Sequence, residues 1–162
     1  MEQHMFTRIA RGRGGFSLIE LVIVVVIIGI IAAIAIPRMS RGAAGAADAN
    51  LQANLRTLRN AIDLFYTEHG STYPATTEIT NQLTQFTNEL GTASAEQKND
   101  FIFGPYLREI PALPVGAKRG SRGIAAADDT GIGWIYAEAT GQLSANTTDT
   151  EVDARGVKYS TY

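Results

Sequence analysis

Glu20 is the one charged residue in the run from Phe16 to Ile36, and from Leu21 onward that run is unbroken apolar sequence. A carboxylate near the centre of a membrane-crossing helix costs about 2.5–3.5 kcal/mol and less toward the interface, so it marks a functional site by default. Opposite charges attract far more strongly at low dielectric than in water, which makes a cation its natural partner. The alternative is that Glu20 merely snorkels to the lipid headgroups. No other residue pattern carries recognisable reaction chemistry. There is no Gly-x-Ser-x-Gly elbow, phosphate-binding loop or His-Glu-x-x-His helix, and no cysteine. His4 lies in the basic leader, and His69 has no ligand or general-base partner at a useful spacing. These absences point to a non-enzyme.

The elements that hold Glu20 begin with a leader. Residues 1–15 carry Arg8, Arg11 and Arg13 against Glu2, so the leader is net positive and the remainder more acidic than the formal charge of -2 for the whole chain. That balance argues against a nucleic-acid-binding face on the folded part. The positive-inside rule keeps the arginines cytoplasmic and sends the C-terminal part outward. Residues 16–36 reach roughly 30 Å as a helix, the hydrocarbon thickness of a bilayer. A cleaved secretory signal stays open as an alternative, because Ala33-Ile34-Ala35 has the small-x-small form of a cleavage site. Gly29 and Pro37 weaken the helix, by roughly 0.8–1 kcal/mol for glycine and about 3 kcal/mol for proline, so a kink is expected between them.

Beyond Pro37 the apolar pattern narrows to one stripe. Leu51, Leu55, Leu58, Ile62 and Phe65 recur at steps of four and three, which predicts an amphipathic continuation of the same helix. From Phe16 to about Glu68 it would measure roughly 80 Å, with Gly70 as its stop. Gly42 to Ala47 form a patch of small residues, suited either to close helix approach or to a hinge. The domain reading is therefore a leader at 1–15, a membrane helix at 16–37, an amphipathic continuation at 38–69 and a head at 70–162.

The basic leader ending at Gly15, Phe16-Ser17-Leu18-Ile19-Glu20, Gly29 and Ala32-Ala33-Ile34-Ala35-Ile36-Pro37 together resemble the N-terminal signal of type IV pilins and type II secretion pseudopilins. The resemblance implies that a prepilin peptidase cuts between Gly15 and Phe16 and that Phe16 becomes the N-methylated N-terminus. It implies that Glu20 pairs with the Phe16 amine of a neighbouring subunit, and that the stretch from Gly29 to Pro37 melts on assembly. The implied fold is α+β, a lollipop with the long helix packed on a small antiparallel sheet. The implied partners are further copies of the chain, minor pseudopilins or pilins, the prepilin peptidase, an inner-membrane platform protein, an assembly ATPase and the lipid bilayer. The implied location is the inner membrane, single-pass, with the head in the periplasm.

In the head, Phe65 to Pro74 resembles the helix exit of pseudopilins, with Tyr66 and Tyr73 closing the core over the helix end. Ile79, Leu83, Phe86 and Leu90 predict a short helix over 78–90, and residues 104–131 read as a long surface loop with a basic cluster at Lys118, Arg119 and Arg122. Gly133 to Ala145 predicts a hairpin, with Trp134 and Tyr136 on one strand face. Major pseudopilins often hold calcium in head loops. The acidic candidates here are Asp128 and Asp129 and, further on, Asp149, Glu151 and Asp153, although calcium needs six to eight oxygens and no Asp-x-Asp-x-Asp-Gly spacing is present; no other cofactor is expected. Asp149, Glu151 and Asp153 read as a solvated segment. Two classes of function remain: a filament subunit, either the major pseudopilin of type II secretion or a pilin of an extracellular pilus for adhesion, motility or DNA uptake, and a membrane-anchored binding domain that never polymerises. The cysteine-free head and the Tyr73-Pro74 pair favour the pseudopilin.

Overall fold

A computed structural model describes residues 15–162, with the side chains of residues 36–41 outside the described set. The leader up to Gly14, with its arginines and His4, lies outside the described residues. The chain divides into two compact units, Met1–Ser40 and Arg41–Tyr162. The fold is α+β. Helix α1, Leu18–Glu68, contributes to both units, and the remaining elements belong to the second.

In the first unit, Leu18–Ala35 is long and apolar enough to cross a membrane, and none of it is buried. Leu18, Ile19, Leu21 and Ile31 are all at least 60 % exposed. Burying one such side chain is worth about 1.5–3 kcal/mol, so this surface requires a cover of lipid or of other helices.

In the second unit, the stripe from Leu51 to Phe65 is buried as its spacing predicts. It meets the apolar face of a three-stranded sheet ordered β3 (Gly123–Ala125), β4 (Ile132–Ala137), β5 (Gln142–Ala145). β4 and β5 form the expected antiparallel hairpin, with Trp134 opposite Ala145 and Tyr136 opposite Leu143. Trp134 and Tyr136 are core residues. Each finds a backbone acceptor for its polar tip, Trp134 Nε1 on Pro111 O at 2.9 Å and the Tyr136 hydroxyl on Pro74 O at 3.0 Å.

α1 stops at a glycine-assisted cap. Gly70 takes φ +62°, and the Ser71 N–H reaches back to Tyr66 O at 3.0 Å, the six-to-one bond of a Schellman motif. Tyr66 and Tyr73 then stack with ring centroids 4.2 Å apart, over the helix end as expected.

Four expectations for the head are corrected. The helix over 78–90 shrinks to α2, Ile79–Thr84, followed by β1, Phe86–Thr87, paired with β2, Ala93–Ser94. Leu83 O accepts the N–H groups of Tyr106 and Leu107, and the Thr87 N–H that would continue the helix bonds to Phe103 O. Leu90 is consequently 90 % exposed rather than packed. The stretch 104–131 is not a surface loop, because Ile110, Leu113, Val115 and Ile124 are buried core and β3 lies within it. The sheet is mixed rather than antiparallel, because β3 runs parallel to β4. Finally, Asp153 is buried rather than solvated: its carboxylate serves as the acceptor that gathers the 153–162 segment.

Candidate assembly site

The N-terminal candidates lie close together in the chain and at one end of α1. Gly15 has open space around the position of a side chain, and Phe16 is 84 % exposed. The bond between them is therefore uncovered on both sides. Ser17 precedes the helix, and its carbonyl accepts the first helical bond, from Leu21 N–H at 3.1 Å. Its own N–H donates to Glu20 Oε2 at 3.1 Å. This is one half of a capping box, in which an acidic side chain in the first turn satisfies an N–H that the helix leaves unpaired. The Ser17-x-x-Glu20 spacing carries that signal in the sequence, yet the reading of Glu20 as a charge in search of a cation passes over it.

The capping bond draws the carboxylate toward the start of the helix, one residue from the Phe16 nitrogen. The positive end of the helix dipole favours the same anion. Gly29 lies within α1 with open space around it, and Pro37 also lies within α1, its side chain outside the described set.

The head candidates are placed elsewhere. Lys118 Nζ donates to Asp128 Oδ1 at 2.5 Å and to Asp129 O at 3.1 Å, and Asn146 Nδ2 adds 2.8 Å to the same Asp128 oxygen. Lys118, and after it Asn146, hold the Asp128 carboxyl below the usual carboxylate range. The positive charge at these oxygens is thus a side chain of the protein, and no cluster of three or more His, Asp or Glu residues able to hold a metal occurs among the described residues. Arg122 pairs with Glu109 at 2.7 Å and donates to Ile110 O. His69 is buried and stacked on Phe65 at 3.8 Å between centroids.

A second polar constellation, unforeseen in the sequence, fastens the 149–162 segment to α1. The Tyr159 hydroxyl donates to Asp48 Oδ1 at 2.8 Å, and Arg59 donates to Leu143 O and to Tyr162 O. Asp153 accepts from the Tyr162 hydroxyl, Arg155 and the Val157 N–H, which hold its carboxyl well below the usual range, the tyrosine contributing most. Burial and the neighbouring Asp48 push Tyr159 up to about 12. Periodicity cannot reveal the bonds made by Asp48 and Arg59, since they join positions far apart in sequence.

No curated protein and no solved structure matches the chain. Residues 10–36, which contain Gly15, Phe16 and Glu20, match the family model described as the prokaryotic N-terminal methylation motif.

Proposed function

We propose that this chain is a structural subunit of a type IV pilin-like filament, and within that class the major pseudopilin of a type II protein secretion system. The observation that carries the reading is the match of residues 10–36 to the N-terminal methylation motif on a helix whose Leu18–Ala35 segment is apolar and unburied. In this reading a prepilin peptidase cuts after Gly15, Phe16 becomes the methylated N-terminus, and α1 anchors the subunit in the inner membrane with the head in the periplasm. Glu20 then exchanges its bond to Ser17 for the Phe16 amine of a neighbour. An ion pair at low dielectric fixes register between subunits even where its net stabilisation is small. The stretch from Gly29 to Pro37 supplies the local weakness that lets the helix extend on assembly. Minor subunits, a platform protein and an assembly ATPase complete the machine, and the role of this chain is structural rather than catalytic. The cysteine-free head and the Tyr73-Pro74 pair at the helix exit favour the pseudopilin over a pilin.

The test uses Glu20→Ala and Glu20→Leu in the full chain. Both variants are expected to insert into membranes as the native chain does and to yield no filaments by electron microscopy of sheared material. Normal filaments from either variant would overturn the reading of Glu20.

A further inference from the structure

Residues 148–162 form a self-contained piece of the head. Their backbone bonds close among themselves: Asp153 N–H on Val157 O at 2.8 Å, Gly156 N–H on Asp153 O at 3.0 Å and Tyr159 N–H on Glu151 O at 3.2 Å. Two ion pairs do the same, Arg155 with Asp153 and Lys158 with Asp149. Among the described residues, no backbone–backbone bond joins 148–162 to any other part of the head. The piece also supplies no buried apolar residue, since Tyr159 and Tyr162 are only partly buried against the core. Few buried apolar contacts and no shared backbone bonds mark a segment that opens before the rest of its domain does.

Side chains alone fasten it. Asp48 on α1 accepts the Tyr159 hydroxyl at 2.8 Å and the Ala154 N–H at 3.4 Å. Further along α1, Arg59 donates to Tyr162 O at 2.5 Å and to Leu143 O on β5 at 2.8 Å. Glu151 accepts the Ala117 N–H at 2.5 Å. Just before the piece, Asn146 is tied down, its N–H on Gly133 O and its side-chain amide on Ile132 O and Asp128. The swivel therefore falls after Asn146.

Beneath the piece lies the outer edge of β5. The bond from Asn146 N–H to Gly133 O sets the alternation of the ladder, so Leu143 and Ala145 turn their backbone groups away from β4. Arg59 donates to Leu143 O and the Thr147 N–H to Ala145 O, while the N–H groups of Leu143 and Ala145 have no partner among the described residues. Both residues are only 2 % exposed. Ser160, Thr161 and Tyr162 run beside this edge without pairing to it, across a cleft of about 590 Å³ that Arg59 bridges. The edge is covered but not paired.

We propose that residues 148–162 are a releasable clasp, which swings away as a unit from Asp48 and Arg59 and uncovers the edge of β5. A bare edge with outward N–H groups is a template for a strand from another chain, so the closed clasp keeps heads from pairing edge to edge. The clasp involves no residue near Gly15 or Phe16, and it stands or falls separately from the filament reading.

Amide hydrogen exchange of the full-length chain in detergent micelles, read residue by residue, tests it. In the native chain the amides of Asp153, Gly156 and Tyr159 are expected to exchange with one common opening equilibrium, together with those of Leu143 and Ala145. All should exchange faster than Ile135 and Ala137 on β4. Tyr159→Phe combined with Arg59→Gln removes hydrogen bonds to charged groups, and should speed the clasp amides at least ~10-fold while β4 stays within ~2-fold. Tyr159→Phe alone keeps the ring on the core and should give the same selective increase, smaller in size. Clasp amides as slow as those of β4 in the native chain would overturn the clasp. So would variants that leave the clasp amides unchanged or speed clasp and β4 alike.

Discussion

Two carboxylates, Glu20 and Asp153, hold their places for opposite reasons. Glu20 is exposed at the start of α1 with one N–H donor on it, so most of its hydrogen-bonding capacity is free for a partner. Asp153 is buried and fully engaged, and its burden is structural. Its folded-state pKa lies below the unfolded value, so the stability it contributes is present above the normal carboxylate range and is lost as pH falls through and below that range. Tyr159 acts at the other limit. Its pKa rises from 10.0 to about 12, so the stability it contributes is present below pH 10 and is lost as pH climbs toward 12. Thermal unfolding followed across pH should therefore weaken at both extremes. Asp153→Asn should reduce the acid-side dependence, to which Asp128, Glu138 and Glu151 also contribute, while lowering the midpoint at neutral pH. An acid limb that persists unchanged in Asp153→Asn would assign it to other groups.

At the scale of elements, the head depends on a few points where backbone and ring meet. Gly141 follows the turn between β4 and β5 at φ +67°, and a Cβ there would overlap the ring of Tyr73. Gly141→Val combines left-handed backbone strain with overpacking, and is expected to destabilise the head by roughly 1–3 kcal/mol or more. Urea unfolding measures that loss, and Tyr73→Ala in the same chain should recover part of it if the overlap is the cause. The stripe from Leu51 to Phe65 and the hairpin with Trp134 were legible in the sequence because each follows a local period. Residues 104–131 were not, because Pro111-Ala112-Leu113-Pro114 has no period at all. Its apolar side chains are buried through long-range bonds such as that from Trp134 Nε1 to Pro111 O. The helix over 78–90 misled for a related reason: its spacing fits a helix, but Phe103, Tyr106 and Leu107 claim the backbone groups that would extend it. At the start of α1 the order is reversed, since the residues that matter there are contiguous and need no tertiary partner to be seen.

Among the described residues, the first unit has no buried core and the second has one. Every buried apolar residue of the core among the described residues lies between Leu51 and Ala145, within the second unit. The fragment 41–162 is therefore expected to be water-soluble and to unfold cooperatively, whereas the full chain should require lipid or detergent. Broad, non-cooperative unfolding of the fragment would mean that the head depends on the first unit. In the proposed reading, the exposed apolar segment at the start of α1, with one carboxylate and a methylation motif across it, is an assembly element rather than a passive anchor. That claim begins with a single covalent event, the cut between Gly15 and Phe16. Intact-mass and N-terminal analysis of the protein purified from its own host membranes tests it most directly. The account predicts a chain beginning at methylated Phe16, and a chain beginning at Met1 or at Ile36 would contradict it.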